Sequence, residues 1–206
     1  MASSLKLVGD RYGLTSRQRL AISHSACSDE SLASRKQHCL PLQTIEKGDV
    51  TIDGFNLIIT IEAALAGGIL LLGRDSCIRD LSSVHGSYRS VAETTKAIEL
   101  VGSVLQLFAP ASVTWLLDRP VSNSGRLAGK IAGVAAEHGW PWKVEVVFNP
   151  DALMISSPTL AITSDGSILD HVRGWLNFKR FLVENYLPNS WLLDLGSGPI
   201  ETKTEG

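Results

Sequence analysis

The chain is poor in cysteine. Cys27, Cys39 and Cys77 are its three, far apart and without a CxxC pair. An odd count without paired spacing argues against a disulfide framework and against a cysteine-built zinc site. A reducing, cytoplasmic setting is the simplest reading. Long apolar runs are also lacking. The longest, residues 58–72, is interrupted by Thr60, Glu62 and the Gly67-Gly68 pair. It falls short of the ~20 apolar residues that a spanning helix needs. No apolar stretch follows the first lysine as a secretory signal requires, so neither a membrane span nor a signal is expected. Nor is there an excess of one charge: 19 Lys and Arg face 21 Asp and Glu, a net of −2. Any nucleic-acid surface must therefore be local. No internal repeat or low-complexity tract is present.

What is there is enough for a folded core. Apolar residues make up 44% and charged residues 19%, which excludes wholesale disorder. The length suits one domain plus a short appendage. Charge divides the chain the same way. Residues 1–49 carry seven Lys and Arg against five acids; residues 50–206 carry twelve against sixteen. The first part reads as two short helices. Thr15 caps the second, with Gln18 as its capping-box partner. This segment is expected to pack on the larger part. Its Arg11, Arg17, Arg19, Arg35 and Lys36 are candidates for neutralising RNA phosphates, or for an ordinary solvated face.

From Val50 onward, strand-like and helix-like runs alternate. Strands are expected at 50–52, 69–72, 112–117, 143–148, 160–163 and 190–195. Helices are expected at 57–65, 90–108, 125–138 and 169–186. The segment 199–206 reads as a frayed tail. Alternation of this kind implies an α/β fold with a parallel sheet covered on both faces. Its ligands bind at the edge where the parallel strands end. Three of the expected strands end in an aspartate there: Asp53, Asp118 and Asp165. Crowded carboxylates repel unless neutralised. A hard cation with oxygen ligands does this, and such an ion supports phosphodiester hydrolysis. The plain alternative is that each aspartate caps the helix that follows it.

Asp53-Gly54-Phe55-Asn56 after a short strand resembles the opening motif of NYN-type PIN-like ribonucleases. The segment from Ala161 to Asp165 is similar to a later strand of that fold, and Leu116-Leu117-Asp118 to its intermediate acidic strand. The resemblance implies a three-layer sandwich with a parallel sheet of order 3-2-1-4-5. It implies Mg²⁺ or Mn²⁺ held by Asp53, Asp118 and Asp165, with Asn56 and Ser164 orienting the cluster or substrate. The chain as a whole also resembles an uncharacterised prokaryotic family that joins a small N-terminal domain of unknown function to a PIN-like part. The segments that carry this include Leu7 to Leu14, Arg79-Asp80-Leu81, Val84 to Arg89 and Leu117 to Gly125. Many PIN-like sites use a fourth acid, for which Glu62, Asp80 and Asp170 are candidates.

Other segments carry possible substrate contacts. Arg79 or Arg89 could grip a phosphate as a fork, and His85 could relay a proton. Ser122, Asn123 and Ser124 precede a helix whose first N–H groups could bind phosphate, helped by Arg119 or Arg126. His24, His38, His138 and His171 have no ligand spacing and read as surface or helix-end residues. Trp140-Pro141-Trp142 reads as packing at a strand entry, with a base-stacking platform as the alternative. Leu193 to Pro199 mimics the glycine-rich motif of S-adenosylmethionine-dependent methyltransferases. Too little chain follows it to build that site, so it reads as a last strand and turn. The expected function is metal-dependent RNA hydrolysis. The alternatives are a non-catalytic RNA- or protein-binding module and a phosphohydrolase of small nucleotides; under any of these readings the partners considered are RNA and a second copy of the chain.

Overall fold

The computed structural model describes residues 2–82 and 88–196. The N-terminal part has three helices: α1 (Ala2–Arg11), α2 (Ser16–Ser25) and α3 (Asp29–His38). The capping box at the start of α2 forms as the sequence implies. Thr15 accepts from the Gln18 N–H, and the Gln18 side chain accepts from the Thr15 N–H. The chain continues through β1 (Cys39–Leu40), β2 (Asp49–Asp53), α4 (Gly54–Leu65), β3 (Ile69–Leu72), β4 (Ile78–Asp80), α5 (Thr94–Gln106) and β5 (Ser112–Asp118). It ends with α6 (Ser124–Glu137), β6 (Trp142–Val147), α7 (Pro150–Ser156), β7 (Leu160–Ile162), α8 (Gly166–Leu169), β8 (Trp175–Leu176), α9 (Phe178–Tyr186) and β9 (Trp191–Asp194).

Six strands form one parallel sheet in the order β1-β8-β7-β2-β5-β6. Its central strands are short apolar runs without alternation, as expected where both faces are covered. In β2, Val50 and Ile52 are fully enclosed; in β5, Trp115 and Leu117 are. The apolar faces of α4, α5 and α6 close on the same core through Ile58, Ile98 and Ile131. This is a layered α/β architecture.

Two expected strands lie elsewhere. β3 and β9 pair in parallel, and β4 joins β3 antiparallel, forming a separate three-stranded sheet. The strand 190–195 therefore does not extend the main sheet. That edge is built by β8 and by β1, a strand of the N-terminal part. The expected helix over 169–186 is also broken. The single turn α8 ends at Leu169, where that helix was expected to begin, and the chain then extends so that Trp175 pairs with Ala161. Two contacts fix this extension. The Trp175 indole N–H donates to the Arg35 carbonyl at 2.8 Å. Gly174 passes so close to Leu40 that a Cβ there would meet the Leu40 side chain at 2.9 Å. Tertiary pairing thus overrides local helical preference.

The N-terminal part is fastened by a buried ionic network. Asp75 receives Arg35 at 2.6 Å and both ends of the Arg79 fork at 2.9 and 2.6 Å. Arg35 also forks onto Asp170 at 2.7 and 3.0 Å. Arg19 pairs with Asp10 and donates to the Leu14 carbonyl. Arg19 and Arg35, two of the basic side chains considered for RNA, are therefore committed to holding the fold. Trp140 lies between His138 and Trp142 in a stack. It presses on Gly102 of α5, where an added Cβ would come within 1.9 Å of its ring. Its role in the fold is packing.

Candidate functional site

β7, β2 and β5 are neighbours, so their C-terminal ends open on one edge. A cavity of about 710 Å³ lies there. Asp53, Asp118 and Asp165 all line it, as do Asn56 and Ser164. Asp53 and Asp165 also act as caps: Asp53 accepts from the Asn56 N–H at 3.4 Å, and Asp165 from the Ser167 N–H at 2.7 Å. Capping therefore accompanies the cluster and does not replace it.

A further acid joins these three, one that sequence reading did not name. Asp151, at the start of α7 after β6, lines the same cavity. Burial raises its carboxyl above the ordinary range, and the charges of Asp165 and Asp118 push it further. Asp53 is likewise raised, to about 6. Burial is the main cause. The Thr163 hydrogen bond and the Lys179 charge oppose it, and Asp165 adds to it. The charge of Asp165 thus acts on both Asp53 and Asp151. None of the four forms a salt bridge with Lys, Arg or His among the described residues.

Of the three expected candidates for a fourth acid, two also reach the cavity. Glu62 points away from the cavity, where it accepts from Tyr88 at 2.5 Å and from Thr94. Asp80 and Asp170 do line the cavity. Asp80 is held by the Thr60 hydroxyl at 2.6 Å and the Ser82 N–H at 2.7 Å. Asp170 is neutralised by Arg35.

The floor of the site is built around Lys179, which sequence reading passed over. It is 3% exposed, and four acceptors share its three N–H donors at 2.7–3.0 Å: the Asn56 carbonyl, the Asn56 Oδ1, the Thr60 hydroxyl and the Ser164 hydroxyl. Burial pulls its ammonium down to about 8, against the attraction of Asp80 and Asp53. The Asn56 Oδ1 also accepts from the Ser164 N–H and hydroxyl at 2.9 and 3.0 Å. An ammonium and a backbone N–H can only donate, so the amide oxygen must face them. The Asn56 NH₂ is thereby turned the other way, as a donor at the cavity. Thr163 links the two central acids: its hydroxyl donates to Asp53 at 2.8 Å and accepts from the Asp165 N–H at 3.0 Å.

The expected substrate contacts divide. Arg79 lines the cavity, but its fork is spent on Asp75 and its Nε on the Ser164 carbonyl at 2.7 Å, so it is not available to grip a phosphate. Arg119 is exposed and lies over the Phe148 ring. Asn123 starts α6 with a positive φ of 68°, and its amide donates to the Tyr88 carbonyl instead of capping the helix. Ser124 is buried and Ser122 is exposed. Arg89 and Asn123 line a second, separate cavity. His85 lies outside the described residues, as do the tail 199–206 and the rest of the segment 83–87. His24, read as a surface or helix-end residue, stands in the last turn of α2 and lines the acid cavity, with Nδ1 3.0 Å from the Asp80 carbonyl.

The donor chemistry of the cavity is hard oxygen. It fits a divalent cation of the Mg²⁺ or Mn²⁺ kind, which takes one or two carboxylates and keeps several waters. Asp165 with Asp53 or Asp151, and Asp118 beside them, are the side chains that could hold it. Among the described residues, no three His, Cys, Asp or Glu side chains stand close enough to bind one ion directly. Also among them, no helix is long and apolar enough to cross a membrane.

Comparison with known proteins places the chain by sequence. The model of the domain of unknown function DUF5616 matches residues 42–181, and that of the protein of unknown function DUF434 matches residues 1–38. The chain belongs to the DUF5616 family. Its two-part architecture is that of an N-terminal DUF434 segment followed by the DUF5616 domain. The uncharacterized protein MJ0935 of Methanocaldococcus jannaschii is 31% identical over 166 residues, covering 81% of this chain and 79% of that protein. No solved structure matches. The DUF5616 match spans Asp53, Asp118, Asp151, Asp165 and Lys179.

Proposed function

We propose that this protein is a metal-dependent PIN-like nuclease of the NYN type that hydrolyses RNA phosphodiester bonds. One observation carries the reading. Four carboxylates from separate parts of the chain line one cavity at the ends of neighbouring parallel strands, and none of them is ion-paired among the described residues. Repulsion of this kind costs stability, and nothing in the packing of the core requires it. A bound Mg²⁺ or Mn²⁺ would offset that repulsion, activate a water and take up charge on the phosphoryl group.

The chain's own groups have definable parts. Asp53, Asp118, Asp151 and Asp165 bind and orient. Lys179 locks Asn56 and Ser164, so that the Asn56 NH₂ is presented to an acceptor oxygen of the substrate. Thr163 fixes the Asp53 carboxylate. In this reading the N-terminal part forms a wall of the site through His24 and completes it as well as the fold.

The test is cleavage of single-stranded RNA with Mg²⁺ or Mn²⁺. Wild type is expected to shorten the RNA, and a chelator, Asp53→Asn or Asp165→Asn to abolish this. Mononucleotide phosphates should survive; their turnover instead of RNA would identify a phosphohydrolase. Failure to cut RNA under any metal condition would favour the non-catalytic binding module.

A further inference from the structure

The second cavity, of about 510 Å³, lies between residues 88–90 and the first two turns of α6. Arg89, Arg126 and Lys130 line it, and among the described residues no acidic side chain does. Arg126 and Lys130 stand four residues apart on one face of α6, where like charges repel. None of the three cations forms an ion pair among the described residues. Glu62, whose charge Lys130 senses, is buried and already held by Tyr88 and Thr94. Two hydrogen bonds shape the walls: Lys130 donates to the Ser90 hydroxyl at 3.0 Å and Asn123 to the Tyr88 carbonyl at 2.8 Å. The loop that ends β5 separates this cavity from the acidic one. Asp118 and Val121 face the acids, and Asn123 faces the cations.

We infer that the cavity formed by Arg89, Arg126 and Lys130 binds a backbone phosphate of the RNA strand, next to the phosphate presented to the acid cluster. The identity of the ligand rests on the nuclease reading; the presence of an anion site does not. Paired guanidinium and ammonium donors are what a phosphate selects. The charge pattern also supplies what the acid cavity lacks. A polyanion approaching four carboxylates needs cations nearby to hold it, and the net charge of the chain does not provide them.

The test is the affinity of a single-stranded RNA oligonucleotide without divalent metal, measured by fluorescence anisotropy over a salt series. The variants are Arg126→Gln, Lys130→Gln and their double, all near the surface of α6. Each is expected to weaken binding about tenfold while leaving the melting temperature in place. The slope of log affinity against log salt should fall by about 0.7 for every phosphate contact removed, which a merely structural role would not produce. Inorganic phosphate should compete with RNA for wild type and not for the double variant. Unchanged affinity and slope in the double variant, or no RNA binding by wild type, would overturn the inference. Cleavage that persists with unaltered affinity in the double variant would sink this site and spare the nuclease. Binding lost in the double variant of a protein that never cuts RNA would do the reverse.

Discussion

Asp75→Ala is the perturbation that best probes how the two parts of the chain are joined. Asp75 is among the most enclosed acids in the structure, with a side chain 2% exposed. It accepts three guanidinium bonds of 2.6–2.9 Å and the Cys77 N–H at 3.2 Å. Burial alone would raise its carboxyl, but the hydrogen bonds and charges of Arg79 and Arg35 outweigh this and hold it below the usual range. Removing the carboxylate leaves Arg35 with Asp170, and Arg79 with one carbonyl acceptor. Breaking a buried pair by deleting one partner costs about 3–5 kcal/mol, because the remaining charge is left uncompensated. With a urea dependence of about 2–3 kcal/mol/M, the unfolding midpoint should drop by about 1–2.5 M. The sign with pH is also set. A carboxyl whose folded pKa is depressed stabilises above its unfolded pKa and loses that stability as pH falls through the folded one. The gap between wild type and variant should therefore be full at neutral pH and narrow only on the acid side of the ordinary carboxylate range. Urea unfolding followed by tryptophan fluorescence reads both. A loss under about 1 kcal/mol at neutral pH, or a gap that widens in acid, would refute the reasoning.

Other outcomes follow from the same structure. Asp53 is raised to about 6 in the fold from an ordinary value near 3.8, so its ionisation costs stability as pH rises through that window. Without metal, Asp53→Asn should be more stable than wild type at neutral pH by about 1–3 kcal/mol, and equal to it at pH 4; equal stability at both would contradict the raised carboxyl. Gly102→Ala places a methyl group against the Trp140 ring. It should cost about 1–3 kcal/mol by overpacking despite the better helix propensity of alanine, with a change in near-ultraviolet circular dichroism. A stabilised Gly102→Ala protein would show that Trp140 is free to move aside.

Much of this architecture can be read from residue pattern, and the gaps have physical causes. Short β-branched and apolar runs located β2, β5, β6 and β7, and their terminal aspartates located three of the four acids. The strand-end pattern failed for Asp151 because the acid lies beyond Asn149-Pro150, the turn that begins α7, and not at the end of β6 itself. Looking one turn past each strand would have found it. β8 was invisible because two residues carry no periodicity, and its position is set by Gly174, Leu40 and Arg35. Lys179 sits in an apolar helical pattern where a lysine reads as solvent-facing. Only the oxygens gathered from Asn56, Thr60 and Ser164 make its burial tolerable. The separate sheet of β3, β4 and β9 depends on pairing between distant segments, which no local pattern reports.

The central claim is that the carboxylates of Asp53, Asp118, Asp151 and Asp165 are there to hold a hard divalent cation. Titration of the protein with Mn²⁺, followed by calorimetry, tests it directly. The account predicts saturable binding of one or two ions to wild type, lost in Asp165→Asn, whose carboxylate neighbours both Asp53 and Asp151. No saturable binding at millimolar Mn²⁺, or binding untouched by that substitution, would contradict it.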